Sequence, residues 1–253
     1  MTARERRQEI GSLLRQAPIG VDDLASRFGV TASTIRRDLE TLAQSGAIVR
    51  TYGGARAVGA HEQSLREREQ IAIHQKAAIG RLASALIPAS ALIVLDAGTT
   101  AGALARCIAH REDLTVVTNG LTTTRELEHS TGIDLVVLGG SLRHISSGLV
   151  GPIAERTMSG ITADIAFLSA DGVSADRGLC EQTPEQAALK RIMVENAQRV
   201  YVLADATKLG AETSHWWTAI EQPWTLITDS GADDAQLTRF REAGVEVMVA
   251  PPA

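Results

Sequence analysis

Apolar positions follow two different periods along the chain, and the change comes near residue 60. Before that point they recur every three or four residues, as on amphipathic helices. The clearest stripe is Ile35, Leu39 and Leu42, which places Ser33 and Arg37 almost opposite at about 100° per residue. Beyond residue 90, apolar runs of four or five residues alternate with helical segments. The pattern predicts a small, mainly helical domain followed by an α/β domain.

Three helices are predicted in the first segment. Thr2 and Glu5 form the pattern of a capping box at the start of the first helix. The second helix runs from about Val21 to Phe28 and ends at a turn on Gly29, and Thr31 caps the third. Two adjacent helices joined by such a turn indicate a helix-turn-helix, whose second helix can enter the major groove of DNA.

A predicted β-hairpin follows the third helix. Residues 47–52 form one strand, Gly53-Gly54 a tight turn, and residues 55–58 the return strand. A hairpin at this position is typical of a wing, in which Arg50, Tyr52 and Arg56 would lie along the phosphate backbone or in the minor groove. The alternative is an ordinary three-helix surface unit with a solvated charged face, and the hairpin weighs against it.

Charge is distributed unevenly between the two segments. The first 60 residues hold nine arginines and six acidic residues, a surplus of three positive charges, whereas the whole chain has a net charge of −5. The remainder therefore carries −8. This asymmetry fits a small basic module attached to an acidic ligand-binding body.

The sequence predicts three parts in chain order: a first domain of residues 1–58, a linker of residues 59–69 and an α/β domain of residues 70–253. Strands separated by helices imply a mostly parallel sheet with helices on both faces. The predicted strands are 91–95, 114–118, 134–138, 165–169, 200–204, 224–228 and 245–249, and the predicted helices are 67–86, 101–109, a polar segment ending near 131, 184–197 and 233–243.

The segment from Asp96 to Thr100 follows the first of these strands and precedes a helix. Free N–H groups and the positive end of a helix dipole would meet there, which suits a phosphate. The carboxylate of Asp96 would instead accept hydrogen bonds from sugar hydroxyls. The simpler interpretation is a helix N-cap made by Thr99.

Small or polar residues also follow other predicted strands, and ligands of such sheets gather at the carboxyl ends of strands. We therefore expect one shared crevice, in which Lys208 supplies a cation for a phosphate and Arg143 is a second candidate. The candidate effector-binding residues are Asp96, Gly98, Thr99, Thr100, Thr118, Asn119, Gly139, Gly140, Arg143, Asp171, Gly172 and Lys208.

The string from Ser33 to Leu39, followed by Leu42, Gly46, Arg50 and Tyr52-Gly53-Gly54-Ala55, resembles the winged helix-turn-helix signature of the DeoR family of bacterial transcriptional regulators. The resemblance implies that Ser33, Thr34, Arg36 and Arg37 contact double-stranded operator DNA. Asp38 is expected to be structural and to pair with an arginine of the wing.

The α/β segment resembles the effector domain of the same family, which is similar in fold to ribose-phosphate isomerases. The matching residues are Asp96, Gly98-Thr99-Thr100, Thr118-Asn119, Gly139-Gly140, Asp171-Gly172, Gly178, Lys190, Asp205 and Lys208. Cys180 and Leu209 depart from the family pattern, where a small hydroxyl residue and an aromatic residue are frequent. The resemblance implies a phosphorylated sugar as effector.

Two functions are compatible with these patterns. The first is a transcriptional regulator, a repressor released by a phosphorylated sugar, and it is favoured by the basic N-terminal module. The second is a sugar-phosphate isomerase with an accessory DNA-binding module, in which Asp171 or Glu181 would be the base. The chain has no Gly-rich P-loop and no dinucleotide fingerprint, so kinases and dehydrogenases are disfavoured and no cofactor is expected.

Several further expectations concern the setting of the protein. Cys107 and Cys180 have no metal-binding spacing, so no metal is expected and the cysteines are interpreted as free thiols of a reducing compartment. No apolar run reaches the roughly 18 residues of a membrane span, and a cytoplasmic location is expected. Since helix-turn-helix proteins bind paired half-sites, we expect a homodimer or homotetramer.

Overall fold

The computed structural model describes residues 2–16, 19–44, 48–51, 54–57 and 62–252, with only the backbone described at 15, 16, 44, 48–51 and 54–57. Contacts divide the chain into two compact units, Met1–Glu62 and Gln63–Ala253. The division falls inside the predicted linker of residues 59–69. Tyr52 and residues 59–61 lie outside the described residues.

The first unit is a winged helix-turn-helix, as the sequence predicts. Its helices are α1 (Ala3–Gln16), α2 (Val21–Phe28) and α3 (Ala32–Gln44), and its strands are β1 (Ile19–Gly20), β2 (Ile48–Thr51) and β3 (Gly54–Ala57). The strands pair antiparallel in the order β1-β3-β2, so β2 and β3 form the wing and β1 extends it.

The predicted caps delimit the three helices. The backbone N–H of Thr2 donates to Glu5 over 2.8 Å, and the N–H of Glu5 donates to the Thr2 hydroxyl over 3.3 Å, which forms the capping box. Gly29 ends α2 with φ 62°, a left-handed conformation that favours glycine. The hydroxyl of Thr31 accepts the N–H of Thr34 at the start of α3.

A buried carboxylate joins α1 to α3. Asp38, which is 3% exposed, accepts hydrogen bonds from Arg6 over 2.6 Å and from Arg7 over 3.3 Å. Among the described side chains, the arginines that reach Asp38 are those of α1, whereas the predicted partner, an arginine of the wing, lies outside the described side chains. Spacing along α3 shows that Asp38 borders the apolar stripe, but only the tertiary packing decides which arginines reach it. The fully buried apolar core of this unit is Ile10, Leu14, Leu24, Ile35 and Leu39.

The second unit is built on a seven-stranded parallel sheet, which confirms the predicted fold class. Its strands are β4 (Leu92–Leu95), β5 (Leu114–Thr118), β6 (Ile133–Val137), β9 (Ala163–Leu168), β12 (Ala197–Leu203), β14 (Trp224–Asp229) and β15 (Glu246–Ala250). They lie in the order β15-β14-β12-β9-β4-β5-β6, and each neighbouring pair is parallel.

Helices cover both faces of this sheet, because its strands are apolar on both sides. The helices are α4 (Leu65–Gln70), α5 (Ile73–Ser84), α6 (Thr99–Ile108), α7 (Leu121–Leu127), α8 (Pro152–Ser159), α9 (Pro184–Glu195) and α10 (Asp234–Glu242). Along β4, Ile93 and Leu95 join one buried layer with α5 and α6, whereas Val94 joins the opposite layer with α8, α9 and α10.

Two small antiparallel elements were not predicted from the sequence. One is the hairpin of β7 (Ser141–Arg143) and β8 (Gly148–Val150), and the other is a sheet of β10 (Gly172–Ser174), β11 (Gly178–Glu181) and β13 (Trp216–Thr218). Strands of three or four residues are too short for an alternating pattern to stand out.

The predicted helix of residues 67–86 is wrong, because the structure has two helices there. A capping box of Ser64 and Glu67 starts α4 earlier than predicted, and the chain leaves helical geometry at Ile71 and Ala72 before α5 begins. Ala72 has φ 52°, a left-handed conformation that is uncommon for alanine. The apolar spacing does not show such a break, because it indicates which face of a helix is buried and contains no information on the backbone angles.

The sheet reverses its direction of growth at β4. From β4 the chain adds β5 and β6 on one side, and it then returns to place β9 on the other side. Such a switch point leaves a crevice at the carboxyl ends of β4 and β9.

Candidate functional site

The outer face of α3 carries the candidate DNA-contacting side chains. Ser33, Arg36 and Arg37 are exposed, and Thr34 is half-buried. The hydroxyls of Ser33 and Thr34 each lie 2.9 Å from the Thr31 hydroxyl, so the start of the helix presents a small hydroxyl cluster. Guanidinium and hydroxyl groups along an exposed helix suit base edges and phosphates in a major groove.

For Arg50 and Arg56 of the wing, only the backbone is described. Arg50 belongs to β2 and Arg56 to β3, where they lie in the register Arg50↔Ala55 and Val49↔Arg56. The predicted role of Tyr52 falls on a residue outside the described ones. The backbone thus provides the hairpin that a wing requires, directly after the helix with the exposed arginines.

The crevice at the switch point encloses about 510 Å³, including space open to solvent. Half of the predicted effector-binding residues line it, namely Asp96, Gly98, Thr99, Asn119, Asp171 and Lys208. They come from loops after four different strands, as the expectation of one shared crevice requires. Residues that the sequence interpretation did not single out also line it, and they include Arg68, Ser146, Ser169 and Gln186.

The loop after β4 is shaped by close backbone packing. Gly98 has φ 151°, and a Cβ at this position would lie 2.9 Å from the Cβ of Ser169. No side chain of the N-cap residue closes the first turn of α6. The first N–H groups of this ten-residue helix thus face the crevice without a capping side chain, which is the arrangement that anions use.

Asn119 and Thr118 hold the neighbouring loops in place. The Asn119 carbonyl oxygen accepts the N–H of Ala97 over 2.9 Å, and its amide nitrogen donates to the carbonyl of Leu149 over 3.1 Å. The Thr118 hydroxyl donates to the carbonyl of Leu95 over 2.6 Å. Asn119 lines the crevice, whereas Thr118 lies outside the lining and braces β5 against β4.

The other predicted residues also lie outside the lining, and packing accounts for two of them. A Cβ on Gly140 would lie 2.6 Å from the carbonyl oxygen of Val150, and one on Gly172 would lie 1.9 Å from that of Ala211. These glycines permit close backbone approaches. Thr100 is fully buried, Gly139 belongs to the turn after β6, and Arg143 ends β7.

Asp96 is almost fully committed to protein donors. It is 1% exposed, and its carboxylate accepts the N–H of Ala97 over 2.7 Å and the N–H of Ser169 over 3.1 Å. It also pairs with the ammonium group of Lys190 over 2.9 Å. These contacts tie the loop after β4 to the loop after β9 and leave little capacity for sugar hydroxyls.

A second carboxylate shares the same lysine. Glu181 of β11 pairs with Lys190 of α9, and both side chains are buried. Burial raises the pKa of Glu181 to about 8 despite the nearby Lys190, and the charges of Asp171 and Asp96 act in the same direction as burial. Burial lowers the pKa of Lys190, but the carboxylates of Asp96 and Glu181 outweigh it and raise that pKa overall. The interior favours one ion pair with Lys190 over two charged carboxylates.

Arg68 and Lys208 bring positive charge to the crevice. The guanidinium of Arg68 pairs with Asp171 over 3.1 Å, and the ammonium of Lys208 donates to the carbonyl of Ala170 over 2.6 Å. Arg68 falls where the predicted linker, 59–69, and the predicted helix, 67–86, overlap, and the sequence interpretation gave it no role. The Ser64-x-x-Glu67 pattern was the sequence signal for the true start of its helix.

An exposed arginine-bearing helix beside a wing, followed by an α/β unit with a polar crevice, defines a ligand-responsive transcriptional regulator. Two family models match the chain: the DeoR-like helix-turn-helix domain over residues 6–60 and the DeoR C terminal sensor domain over residues 71–230. The chain belongs to the DeoR family, which confirms the resemblance in the sequence.

Relatives of this chain include three named regulators. It is 34% identical to the HTH-type transcriptional regulator GolR of Listeria innocua, over 97% of this chain and 98% of that protein. It is 32% identical to the transcriptional repressor AccR of Agrobacterium fabrum, over 91% of each chain, and 32% identical to the HTH-type transcriptional repressor GlcR of Bacillus subtilis, over 91% of this chain and 90% of that one.

Solved structures similar to the chain include ribose 5-phosphate isomerase A of Methanocaldococcus jannaschii. It is 21% identical, with a TM-score of 0.39 over 53% of this chain and 52% of that one. In the part of the chain that the structure describes, no helix is long and apolar enough to cross a membrane.

Proposed function

We propose that this protein is a repressor of a carbohydrate-metabolism operon, which binds operator DNA through α3 and the wing and is released by a phosphorylated sugar. The observation that carries the effector assignment is the uncapped first turn of α6, which opens into the same crevice as the cations Arg68 and Lys208. A helix N-terminus with nearby cations suits a phosphate. The printed names of AccR and GlcR support the repressor assignment.

The DNA-contacting roles divide between helix and wing. Ser33, Arg36 and Arg37 face outward on α3 and read base edges or position the helix, because guanidinium groups pair with guanine in the major groove. Arg50 and Arg56 of the wing contact phosphates, which adds affinity with little sequence information.

The sugar part of the effector needs hydrogen-bonding groups that the protein has not already used. The Ser169 hydroxyl and the Gln186 side-chain oxygen are buried, line the crevice and have no partner among the described residues. We assign the sugar hydroxyls to them and not chiefly to Asp96, whose oxygens already accept from three protein donors. The phosphate lies at the N–H groups of residues 98–100 and near Lys208.

The alternative is a sugar-phosphate isomerase with a DNA-binding module. It requires a carboxylate free to take a proton from the substrate. Glu181 is paired with Lys190, and Asp171 is paired with Arg68 through Oδ1, although its Oδ2 has no partner among the described residues. The regulator explains the N-terminal unit, for which an isomerase has no use. Conversion of aldose phosphates to ketose phosphates by the purified protein would favour the alternative.

A panel of phosphorylated sugars tests the proposed function directly. An operator fragment selected from random duplexes is titrated with protein by fluorescence anisotropy, with and without each sugar phosphate and its unphosphorylated form. We expect one phosphorylated sugar to weaken DNA binding while its unphosphorylated form has no effect. Equal effects of both forms would contradict the assignment of the phosphate.

Lys208→Ala separates the two activities of the protein. We expect the variant to bind the operator like the parent but to bind the phosphorylated sugar about 10-fold to 100-fold more weakly, since a hydrogen bond to a charged group contributes roughly 1.5–3 kcal/mol. Isothermal titration calorimetry measures the sugar affinity. Arg199→Ala, which removes an exposed arginine of β12, is the control. Unchanged affinity in Lys208→Ala would remove Lys208 from the site.

A further inference from the structure

Arg68 lines the crevice and has donors that no group among the described residues accepts from. Its Nη1 donates to Asp171 over 3.1 Å, whereas Nε and Nη2 are buried and have no acceptor among the described residues. These two N–H groups lie on one edge of the planar guanidinium and point in parallel. That edge matches two oxygens of a phosphate, and buried donors without acceptors are costly. The arrangement suits an anion that receives both hydrogen bonds.

The lysines of the crevice are placed differently. Lys190 is held by Asp96, Glu181 and the carbonyl of Ser169, so its three donors are taken. Lys208 is a single ammonium with one hydrogen bond to the carbonyl of Ala170. Arg68 therefore contributes a paired and planar donor set, which fixes the orientation of an anion as well as its charge.

The helix that carries Arg68 depends on its contacts for order. With six residues, α4 is too short to be stable alone. Its end is held by the buried ammonium of Lys76, which donates to the carbonyl of Arg68 over 2.6 Å and to that of Ile71 over 2.8 Å. Its start is held by the N–H of Leu65, which donates to the carbonyl of Ile145. A ligand bound by Arg68 would add a further restraint.

We propose that Arg68 binds the phosphate of the effector through Nε and Nη2, and that this contact orders α4. This inference rests on the proposed function, because it takes the effector to be a phosphate monoester. The first helix after the boundary at Glu62 and Gln63 is α4. Occupancy of the crevice thereby changes the order of the segment that continues directly into the DNA-binding unit.

The test compares Arg68→Lys with Arg66→Lys in the full-length protein, with inorganic phosphate as the probe. Arg66 is exposed on the same helix and lies outside the crevice lining. We expect Arg68→Lys, which keeps the charge but loses the paired donors, to bind phosphate at least tenfold more weakly than the parent. Arg66→Lys should bind like the parent. Calorimetry gives the affinities, and circular dichroism shows whether each variant is folded.

Hydrogen exchange reports the ordering of α4 separately from affinity. At saturating phosphate, the amides of residues 65–71 should exchange at least several-fold more slowly in the parent and in Arg66→Lys. In Arg68→Lys they should show no such slowing even when phosphate is raised to saturation. Slowing in all three proteins would overturn the link between Arg68 and α4.

A third variant keeps the proposal testable if Arg68→Lys does not fold. Asp171→Asn removes the negative charge beside Arg68 and leaves its Nε and Nη2, so we expect phosphate to bind several-fold more tightly. Weaker binding in Asp171→Asn would overturn the proposal.

Two further outcomes distinguish the proposal from the proposed function. If the parent and Arg68→Lys bind phosphate equally well, the role of Arg68 is overturned and the proposed function is not. If the parent binds neither phosphate nor any sugar phosphate, the proposed function is overturned as well.

Discussion

Most charged side chains in the crevice form ion pairs, and the geometry of each pair decides which donors and acceptors stay free. Lys190 joins Asp96 to Glu181, and Arg68 joins α4 to Asp171. Taking a charge out of water is costly unless a partner and hydrogen bonds replace the water. The residues most committed to protein partners therefore shape the crevice, and those with spare donors remain available to a ligand.

The buried group of Lys190, Asp96 and Glu181 predicts a pH dependence of stability. Burial raises the pKa of Glu181 from its ordinary value of 4.5 to about 8. Between these values the folded state keeps a proton that the unfolded state has released, so this group's contribution to stability is complete below pH 4.5 and is lost as the pH rises through 8.

Glu181→Gln tests this dependence. The variant carries no titrating group at this position, so we expect its stability relative to the parent to increase as the pH rises from 4.5 to 8. Urea unfolding at a series of pH values measures the difference. Glu195→Gln, at the exposed end of α9, is the control and should follow the parent. Parallel stability profiles of Glu181→Gln and the parent would contradict the raised pKa.

Arg37 predicts how the DNA-binding unit discriminates between sequences. If its guanidinium reads a base edge, Arg37→Ala should lose about 1–3 kcal/mol of binding to the operator and much less to unrelated DNA. Arg50→Ala should instead weaken binding to all sequences and reduce the salt slope by about one. Anisotropy titrations over a range of salt concentrations measure both effects. An unchanged operator affinity in Arg37→Ala would exclude it from recognition.

At the scale of elements, the junction of β4 and α6 is tightly constrained by close packing. The loop must place Gly98 against Ser169 and leave the first turn of α6 open. Loops that approach each other this closely exclude a Cβ, and a positive φ there adds strain for any other residue. The helix end can therefore approach a ligand only with glycine at this position.

Gly98→Ala should both destabilise the α/β unit and weaken phosphate binding. We expect the free energy of unfolding of the α/β unit to fall by about 1–3 kcal/mol and phosphate binding to weaken, because the new Cβ displaces Ser169 or the loop. Gly29→Ala is a matched control: its φ is 62°, but a Cβ would meet nothing within 4 Å. It should strain the first unit and leave phosphate affinity unchanged. Thermal unfolding and calorimetry measure the two effects, and equal phosphate affinity in Gly98→Ala and the parent would contradict the site.

At the scale of the whole molecule, the chain has two compact units. Regulation therefore requires thermodynamic linkage between the binding of the sugar and the binding of operator DNA. If a phosphorylated sugar weakens operator binding by some factor, operator DNA must weaken sugar binding by the same factor. The effect requires the sugar to prefer one state of the protein, and tight binding alone is insufficient.

We expect this reciprocity to be measurable in the full-length protein. The coupling should be about 5-fold to 150-fold, the usual range of 1–3 kcal/mol. Calorimetry of the sugar phosphate, with and without saturating operator, gives one factor, and anisotropy of the operator with and without the sugar gives the other. Unequal factors would show that a further species takes part. Sedimentation during the same titrations would test the homodimer or homotetramer expected from the sequence, including a change of assembly.

Much of this protein follows from the order of its residues. Helical spacing, capping residues and the hairpin after α3 define the winged helix-turn-helix, and apolar runs at regular intervals define the parallel sheet. These features are local, because periodicity and turn chemistry act over a few residues. The recurrence of polar residues after the strands also predicted one crevice, since parallel strands end on the same edge of a sheet.

Only the tertiary structure decided which polar residues meet. Arg68 and Asp171 are 103 positions apart in the sequence and form an ion pair, and Asp38 on α3 contacts two arginines of α1. Gly140 and Gly172 resembled ligand-binding loop residues but serve close backbone contacts. Such partners depend on strand order, helix docking and burial, which are properties of the packed chain. The sequence alone determined the fold and the location of the crevice, and packing decided which side chains hold the structure together and which remain available to a ligand.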